Sequence, residues 1–219
     1  MSTLFVTATG TDVGKTYVAC AVIRALRAAG RPVRAFKPVV SGFDPTEAEA
    51  SDPGRLRAAL GTGAPPLEAI APLRFAAPLS PPLAARMEGV SLSLDHLETL
   101  CRDQMGGDSL LLIEGAGGVM SPLTDGETNL DLIERLGAAV ILVTGSYLGT
   151  ISHTLTAIEV LRARRVAVAA VVMSESEDAP DLTETAAGLS AFIPGVPLFT
   201  APRDAGGWDA SDLAGGLNL

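Results

Sequence analysis

The sequence predicts an α/β fold, a parallel β-sheet with helices on both faces. Three observations carry that expectation. Apolar runs of strand length alternate with stretches of helical spacing along the 219 residues. The runs Leu110 to Ile113 and Val140 to Val143 are continuously apolar, as in strands covered on both sides. Hydrophobic residues make up 47% and charged residues 19%, enough apolar material for a substantial core.

In order, Leu4 to Thr7 reads as a strand ending at Thr9-Gly10. Tyr17 to Ala29 has helical spacing and stops at Gly30. Val33 to Lys37 is the next strand, followed much later by Leu110 to Ile113 and Val140 to Val143. Thr150 to Arg164 reads as a helix, Val166 to Val172 as a strand, Leu182 to Phe192 as a helix and Val196 to Phe199 as a last short strand. Right-handed crossovers place the loops that carry function at the carboxyl ends of such strands. Phe43 to Pro66 and Pro72 to Pro82 have the Pro- and Gly-rich composition of linkers, although long loops inside a compact domain more often carry function. Nothing marks a repeat or a second domain, so residues 1–219 are expected to form a single domain.

The formal net charge is -9, which opposes broad binding to a phosphate backbone, so no nucleic acid partner is expected. No apolar run approaches the roughly 20 residues of a membrane span, and Met1 to Val6 is too short for a secretory signal. A cytoplasmic protein without a membrane partner is the expectation. Cys20 and Cys101 lie in apolar surroundings and read as buried thiols rather than a disulfide framework. Lys15 and Lys37 are the only lysines, so an acidic chain that binds a polyanion must gather its cations there.

Three loops carry chemistry. Gly10-Thr11-Asp12-Val13-Gly14-Lys15-Thr16 runs from a strand into a helix start. Phosphate binding needs glycines that let the backbone present its amides, a lysine for the outer phosphates and a hydroxyl for Mg2+. Gly14, Lys15 and Thr16 supply these. The strict motif has a glycine with four residues between it and the Gly-Lys pair, and that position is Thr9. The fold expected is therefore P-loop NTPase-like, with ATP as co-substrate. In the second loop, Lys37 to Gly42, a lysine directly follows an apolar strand at the functional edge of the sheet. In the third, Glu114-Gly115-Ala116-Gly117-Gly118, an acid closes a strand where nucleotide-hydrolysing folds hold Mg2+ or its waters.

Together these loops resemble the dethiobiotin synthetase family. The family's marks are a Gly-Thr-Asp-Thr-Asp/Glu-Val-Gly-Lys-Thr loop, Lys-Pro-Val-x-Ser-Gly and Glu-Gly-Ala-Gly-Gly. They stand here as Ala8 to Thr16, Lys37 to Gly42 and Glu114 to Gly118, with weaker matches at Ser51-Asp52, at Phe75 with Ser80-Pro81, and at Leu148 to His153. The resemblance implies an ATP-dependent ligase that takes up CO2 on 7,8-diaminononanoate (7,8-diaminopelargonate), forms a carbamate and a carbamic-phosphoric anhydride, and closes the ring to dethiobiotin with release of ADP and phosphate. It implies that Lys15, Lys37 and Thr11 are catalytic, and that Thr16, Asp52 and Glu114 hold Mg2+. Asp12, Val13, Gly14, Lys15, Thr16, Tyr17, Asp52, Glu114, Gly115, Ala116, Gly117, Ser174, Thr200, Ala201 and Pro202 would form the nucleotide and metal site. Ser41, Leu148, Gly149, Thr150 and Ser152 would bind substrate, the last four reaching the neighbouring subunit's substrate carboxylate in a two-fold homodimer. His153 is assigned no catalytic role.

The sequence departs from the family pattern at four places. A family Gly is Ala8, a family Asp is Gly10, an Asn is Ser152, and an Asn that reads adenine is Ser174. Serine offers one hydroxyl where an amide pairs twice, so a looser base preference is expected. One rival reading is a partitioning-type P-loop ATPase switch. Its extra lysine would stand at Gly10. A second is the synthetase domain of a cobyrinate amidotransferase, which carries a glutaminase domain after it, whereas this sequence ends at Leu219.

Overall fold

A computed structural model describes residues 3–203 and 207–217. Along the chain run β1 (Thr3–Ala8), α1 (Lys15–Ala28), β2 (Val33–Phe36), β3 (Val39–Ser41), α2 (Asp52–Leu60), α3 (Leu67–Ile70), β4 (Leu73–Phe75), α4 (Pro81–Met87), α5 (Leu94–Gln104), β5 (Leu110–Glu114), α6 (Asn129–Leu136), β6 (Ala139–Gly145), α7 (Thr150–Ala163), β7 (Val168–Ser174), α8 (Leu182–Ser190), β8 (Leu198–Ala201) and α9 (Ser211–Gly216). Six strands form one sheet in the order β2-β5-β1-β6-β7-β8, and every neighbouring pair is parallel. A second, two-stranded parallel sheet joins β3 and β4.

The period-two alternation of strands divides the apolar runs between two cores. Phe5, Leu111, Ile113, Leu142 and Met173 face one side, where they pack with Leu97, Ile133, Ile158 and Leu189 from α5, α6, α7 and α8. Leu4, Val6, Leu112, Ile141 and Val172 face the other and pack with Val18, Ile23, Leu56 and Leu213 from α1, α2 and α9. Helices thus cover both faces, as the unbroken apolar runs predict. Because all six strands run the same way, the loops after β1, β2, β5, β7 and β8 open at one edge of the sheet.

Some boundaries differ from the sequence expectation. α1 begins at Lys15 rather than Tyr17, because Gly14 in the left-handed region caps it. β7 and β8 begin at Val168 and Leu198, two residues later than the apolar runs, and end at Ser174 and Ala201. The two linker-like stretches are not linkers. Phe43 to Pro66 holds a 3-10 turn at Pro45–Glu47 and α2, and Pro72 to Pro82 holds β4 and the start of α4. Pro53 and the Pro81-Pro82 pair stand in the first turns of α2 and α4, where proline has no N–H to lose and its fixed φ favours the helix. The Ser51 hydroxyl caps α2 by accepting a hydrogen bond from Gly54 N. Among the described residues no helix is long and apolar enough to cross a membrane.

Candidate functional site

The loop after β1 is anchored at its start. Thr9 N donates to Val143 O at 3.0 Å. Its Oγ1 lies 3.2 Å from Thr144 Oγ1. The chain then turns through two left-handed residues, Asp12 (φ 56) and Gly14 (φ 97). Glycine answers two demands at position 14, because a Cβ there would also lie 2.5 Å from Ser174 Oγ at the end of β7. Lys15, the first residue of α1, folds back so that Nζ donates to Gly10 O at 3.1 Å. Burial and then the charge of Lys37 lower the Lys15 ammonium below the ordinary lysine value.

Four side chains from four elements meet beside this loop. Lys37 follows β2, and its Nζ contacts Glu114 Oε1 and lies 2.9 Å from Asp52 Oδ2. Thr16 Oγ1 donates to the same Glu114 oxygen at 2.8 Å. Glu114, the last residue of β5, is fully buried, and its Oε2 has no partner among the described residues. Burial lowers the Lys37 ammonium, but the charges of Glu114 and Asp52 outweigh it and raise it above the usual lysine value. Burial likewise raises the Asp52 carboxyl. The charge of Lys37 and its hydrogen bond, with the charge of Lys15, more than offset that, holding it below the usual carboxylate range. The result is an ion cluster buried at Lys37 and Glu114 and open to the cleft at Asp52, with one carboxylate oxygen left over.

The third loop packs against the first. Gly115 N donates to Val6 O at 3.0 Å and Val119 N to Ala8 O at 2.8 Å. A side chain at Gly115 would run into the Asn129 amide and the Phe5 ring, both 2.7 Å from a Cβ. A cleft of about 1080 Å3 opens between the loops. Thr11, Asp12, Gly14, Lys15, Thr16, Tyr17, Lys37, Ser41, Asp52, Ala116, Gly117 and Ser174 line it, and Glu114 lies beneath, bonded to Thr16 and Lys37. Ser41 and Ser174 each have a buried hydroxyl oxygen with no partner among the described residues.

The remaining expected residues do not line this cleft. Val13 and Gly115 stand within the loops but behind its surface, and Thr200, Ala201 and Pro202 close β8 beside it. Leu148, Gly149, Thr150 and Ser152 stand at the start of α7, away from the cleft lining. There Leu148 is 91% exposed, and the Thr150 hydroxyl is spent on Gly145 O and Thr144 Oγ1 inside the fold.

Several lining residues carry no such expectation: Arg55, Ser121, Pro122, Arg203 and the stretch Pro78 to Pro81. Ser80-Pro81 is a weak motif match. Arg55 stands one helical turn after Asp52, the only spacing signal that points to it. Arg203 is placed by its neighbours: its N donates to Glu175 Oε2 at 2.7 Å, and its guanidinium lies 3.3 Å from Glu177. Tyr17 fastens the same stretch, donating from its hydroxyl to Pro202 O and accepting from Trp208 N, both at 2.7 Å. Among the described residues, no three His, Cys, Asp or Glu side chains form a metal cluster.

Residues 2–200 match the AAA domain family. An ATP-dependent dethiobiotin synthetase BioD of Caulobacter sp. (strain K31) is 60% identical over 216 residues, covering 98% of this chain and 93% of the relative. Its namesake in Caulobacter vibrioides (strain NA1000 / CB15N) is 57% identical over 215 residues, 97% of each chain. That of Phenylobacterium zucineum (strain HLK1) is 57% identical over 210 residues, 93% of this chain and 90% of the relative. In architecture the chain is similar to a solved chain of the MinC:MinD cell division protein complex of Aquifex aeolicus, with a TM-score of 0.51 at 11% identity, covering 94% of this chain and 83% of that one. That likeness is one of fold alone.

Proposed function

The chain belongs to the ATP-dependent dethiobiotin synthetase family, and from there we propose that it joins CO2 to both amines of 7,8-diaminononanoate at the expense of ATP, releasing dethiobiotin, ADP and phosphate. The observation that carries the reading is the cluster of Lys37, Asp52, Glu114 and Thr16 set against the glycine-capped start of α1. Fixed charge of this kind suits phosphoryl transfer, which asks the protein mainly for positioning and for neutralising growing negative charge.

In the proposed sequence one amine takes up CO2 to give a carbamate. A carbamate oxygen attacks the γ-phosphorus of ATP, and the bond to ADP breaks. The second amine then attacks the carbamate carbon, closing the cyclic urea and expelling phosphate. The protein's part is to align reactants and oppose growing negative charge. The α1 amino terminus and Lys15 receive the nucleotide phosphates, since free backbone N–H groups and the helix dipole favour anions there. Lys37 faces the transferring group, and Thr11 and Ser41 seat the carbamate and diamine. Ser174 stands on the base side, against Gly14.

Mg2+ fits the donors present. Thr16, Asp52 and Glu114 are hard oxygen ligands, and the orphaned Glu114 Oε2 is a buried acceptor in need of a cation or donor. When bound it would neutralise phosphate charge. A homodimer also fits. Leu79, Leu83, Met87, Met120 and Leu148 are large apolar side chains left 46% or more exposed, which a partner subunit would cover.

The test is phosphate release from ATP with and without the diamine and bicarbonate. Release that depends on both supports the ligase. Release that ignores the diamine removes it.

A further inference from the structure

We propose that Asn129 is a positioning residue for the same reaction: it aims the Gly117 N–H into the cleft, at an anionic oxygen of the carbamate. The inference rests on the ligase reading above.

Asn129 is the first residue of α6 and is fully buried. Its Nδ2 donates to Ala116 O at 2.6 Å and to Gly118 O at 2.8 Å. The amide NH2 serves both because it carries two donors on one atom, which neither a hydroxyl nor a carboxylate of similar size offers. The residue's own backbone is tied to the same loop, with Asn129 N donating to Ser121 O at 3.1 Å and Leu130 N to Val119 O at 3.0 Å. The anchor is therefore fixed before it acts.

Peptide planarity turns this anchoring into orientation. The Ala116 C=O and the Gly117 N–H belong to one trans peptide, so they point in opposite directions. A carbonyl held towards Asn129 sends the Gly117 N–H away from it. The next tethered peptide displays the same rule. Gly118 O is held by Asn129, and Val119 N–H points the other way, to Ala8 O at 2.8 Å. No such partner meets the Gly117 N–H, and neither it nor the Ala116 N–H donates to anything among the described residues. Both residues line the cleft. Gly117 is left-handed at φ 73, and successive unpaired amides around a left-handed residue can form a concavity that receives anionic oxygen. A Cβ on Gly117 would meet Ser121 Oγ first and would lie 3.7 Å from Thr11 Oγ1, so Gly117 itself stands close to the hydroxyl proposed to seat the carbamate.

Two variants test this, each assayed for turnover at saturating diamine, for ATP affinity by calorimetry without diamine, and for thermal stability. Asn129→Ala removes the anchor. Asn129→Asp keeps its shape and suits a first-turn helix position, but it has no donors. Removing an oxyanion donor outright costs on the order of 10²- to 10³-fold, so misaiming one should cost roughly 10- to 100-fold in kcat. Both variants are expected to show that loss per ATP-binding site, with ATP affinity within about threefold of the wild type. A residue that merely supports the fold would lower stability and the fraction of competent sites without changing kcat per site. That outcome would overturn the proposal. An equal fall in ATP affinity would also overturn it, by assigning the N–H to the γ-phosphate. Should the alanine variant fail to fold, the aspartate variant decides alone. Wild-type protein without diamine-dependent turnover would fail the ligase reading itself, a different result from active wild type and unaffected variants.

Discussion

Lys37 holds an ammonium between two carboxylates with only 4% of its side chain exposed. Asp52 is bound as a carboxylate, so its share of stability is present above the ordinary carboxyl range and is lost as pH falls through its depressed value. Lys37 is raised, so its share is present below the ordinary lysine value and is lost as pH rises through the raised one. Both stay charged across the neutral range, and the cluster should be intact there. Lys37→Gln should lower turnover by on the order of 10²-fold while ATP binding by calorimetry stays largely intact; near-normal turnover would remove its catalytic role. Asp52→Asn and Glu114→Gln should each raise the Mg2+ concentration for half-maximal rate, and an unmoved titration curve for either would strike it from the ligand set. Ser174 has one hydroxyl, so GTP and CTP should support turnover within about tenfold of ATP, the size of one ~1.4 kcal/mol contact. A preference for ATP above about a hundredfold, measured with the four nucleoside triphosphates, would assign base reading to the backbone instead. Lys15, Lys37 and Glu114 are legible in sequence because their types close strands or loops where such chemistry collects. Arg203 and Asn129 are not, because a lone arginine in a loop and an asparagine near a helix start read as solvated or capping groups, and only tertiary contacts give them work.

α2 brings Asp52 to the cluster, and its entry is tightly packed. A Cβ at Gly54 would meet the Ala48 and Glu49 carbonyl oxygens inside contact distance. Gly54→Ala should therefore force the first turn to shift, costing about 1–3 kcal/mol in urea unfolding. It should also raise the Mg2+ requirement, because Asp52 opens that turn. Loss of stability with an unchanged metal titration would separate α2 packing from the site. Composition hid this helix: Pro53 and Gly54 read as breakers, although proline in a first turn starts a helix and glycine here answers a close approach. α4 was masked the same way by Pro81 and Pro82. By contrast α1 and the strands β1, β5 and β6 were legible, because their apolar periodicity is long and unbroken.

At the scale of the whole molecule, β1 lies between β5 and β6, each pairing a strand with one more than a hundred residues away in sequence. The apolar runs announce a covered parallel sheet. The strand order is not written in them, since runs so alike in composition do not encode which neighbours pair. That order gathers the loops after β1, β2 and β5 around one cleft, and the account stands on what the cleft does. The most direct test supplies the purified chain with the diamine, isotope-labelled bicarbonate, Mg2+ and ATP, and follows the products by mass spectrometry. The account predicts dethiobiotin carrying the label in its ring carbonyl, formed one for one with ADP and phosphate. ADP and phosphate released without labelled dethiobiotin would contradict it.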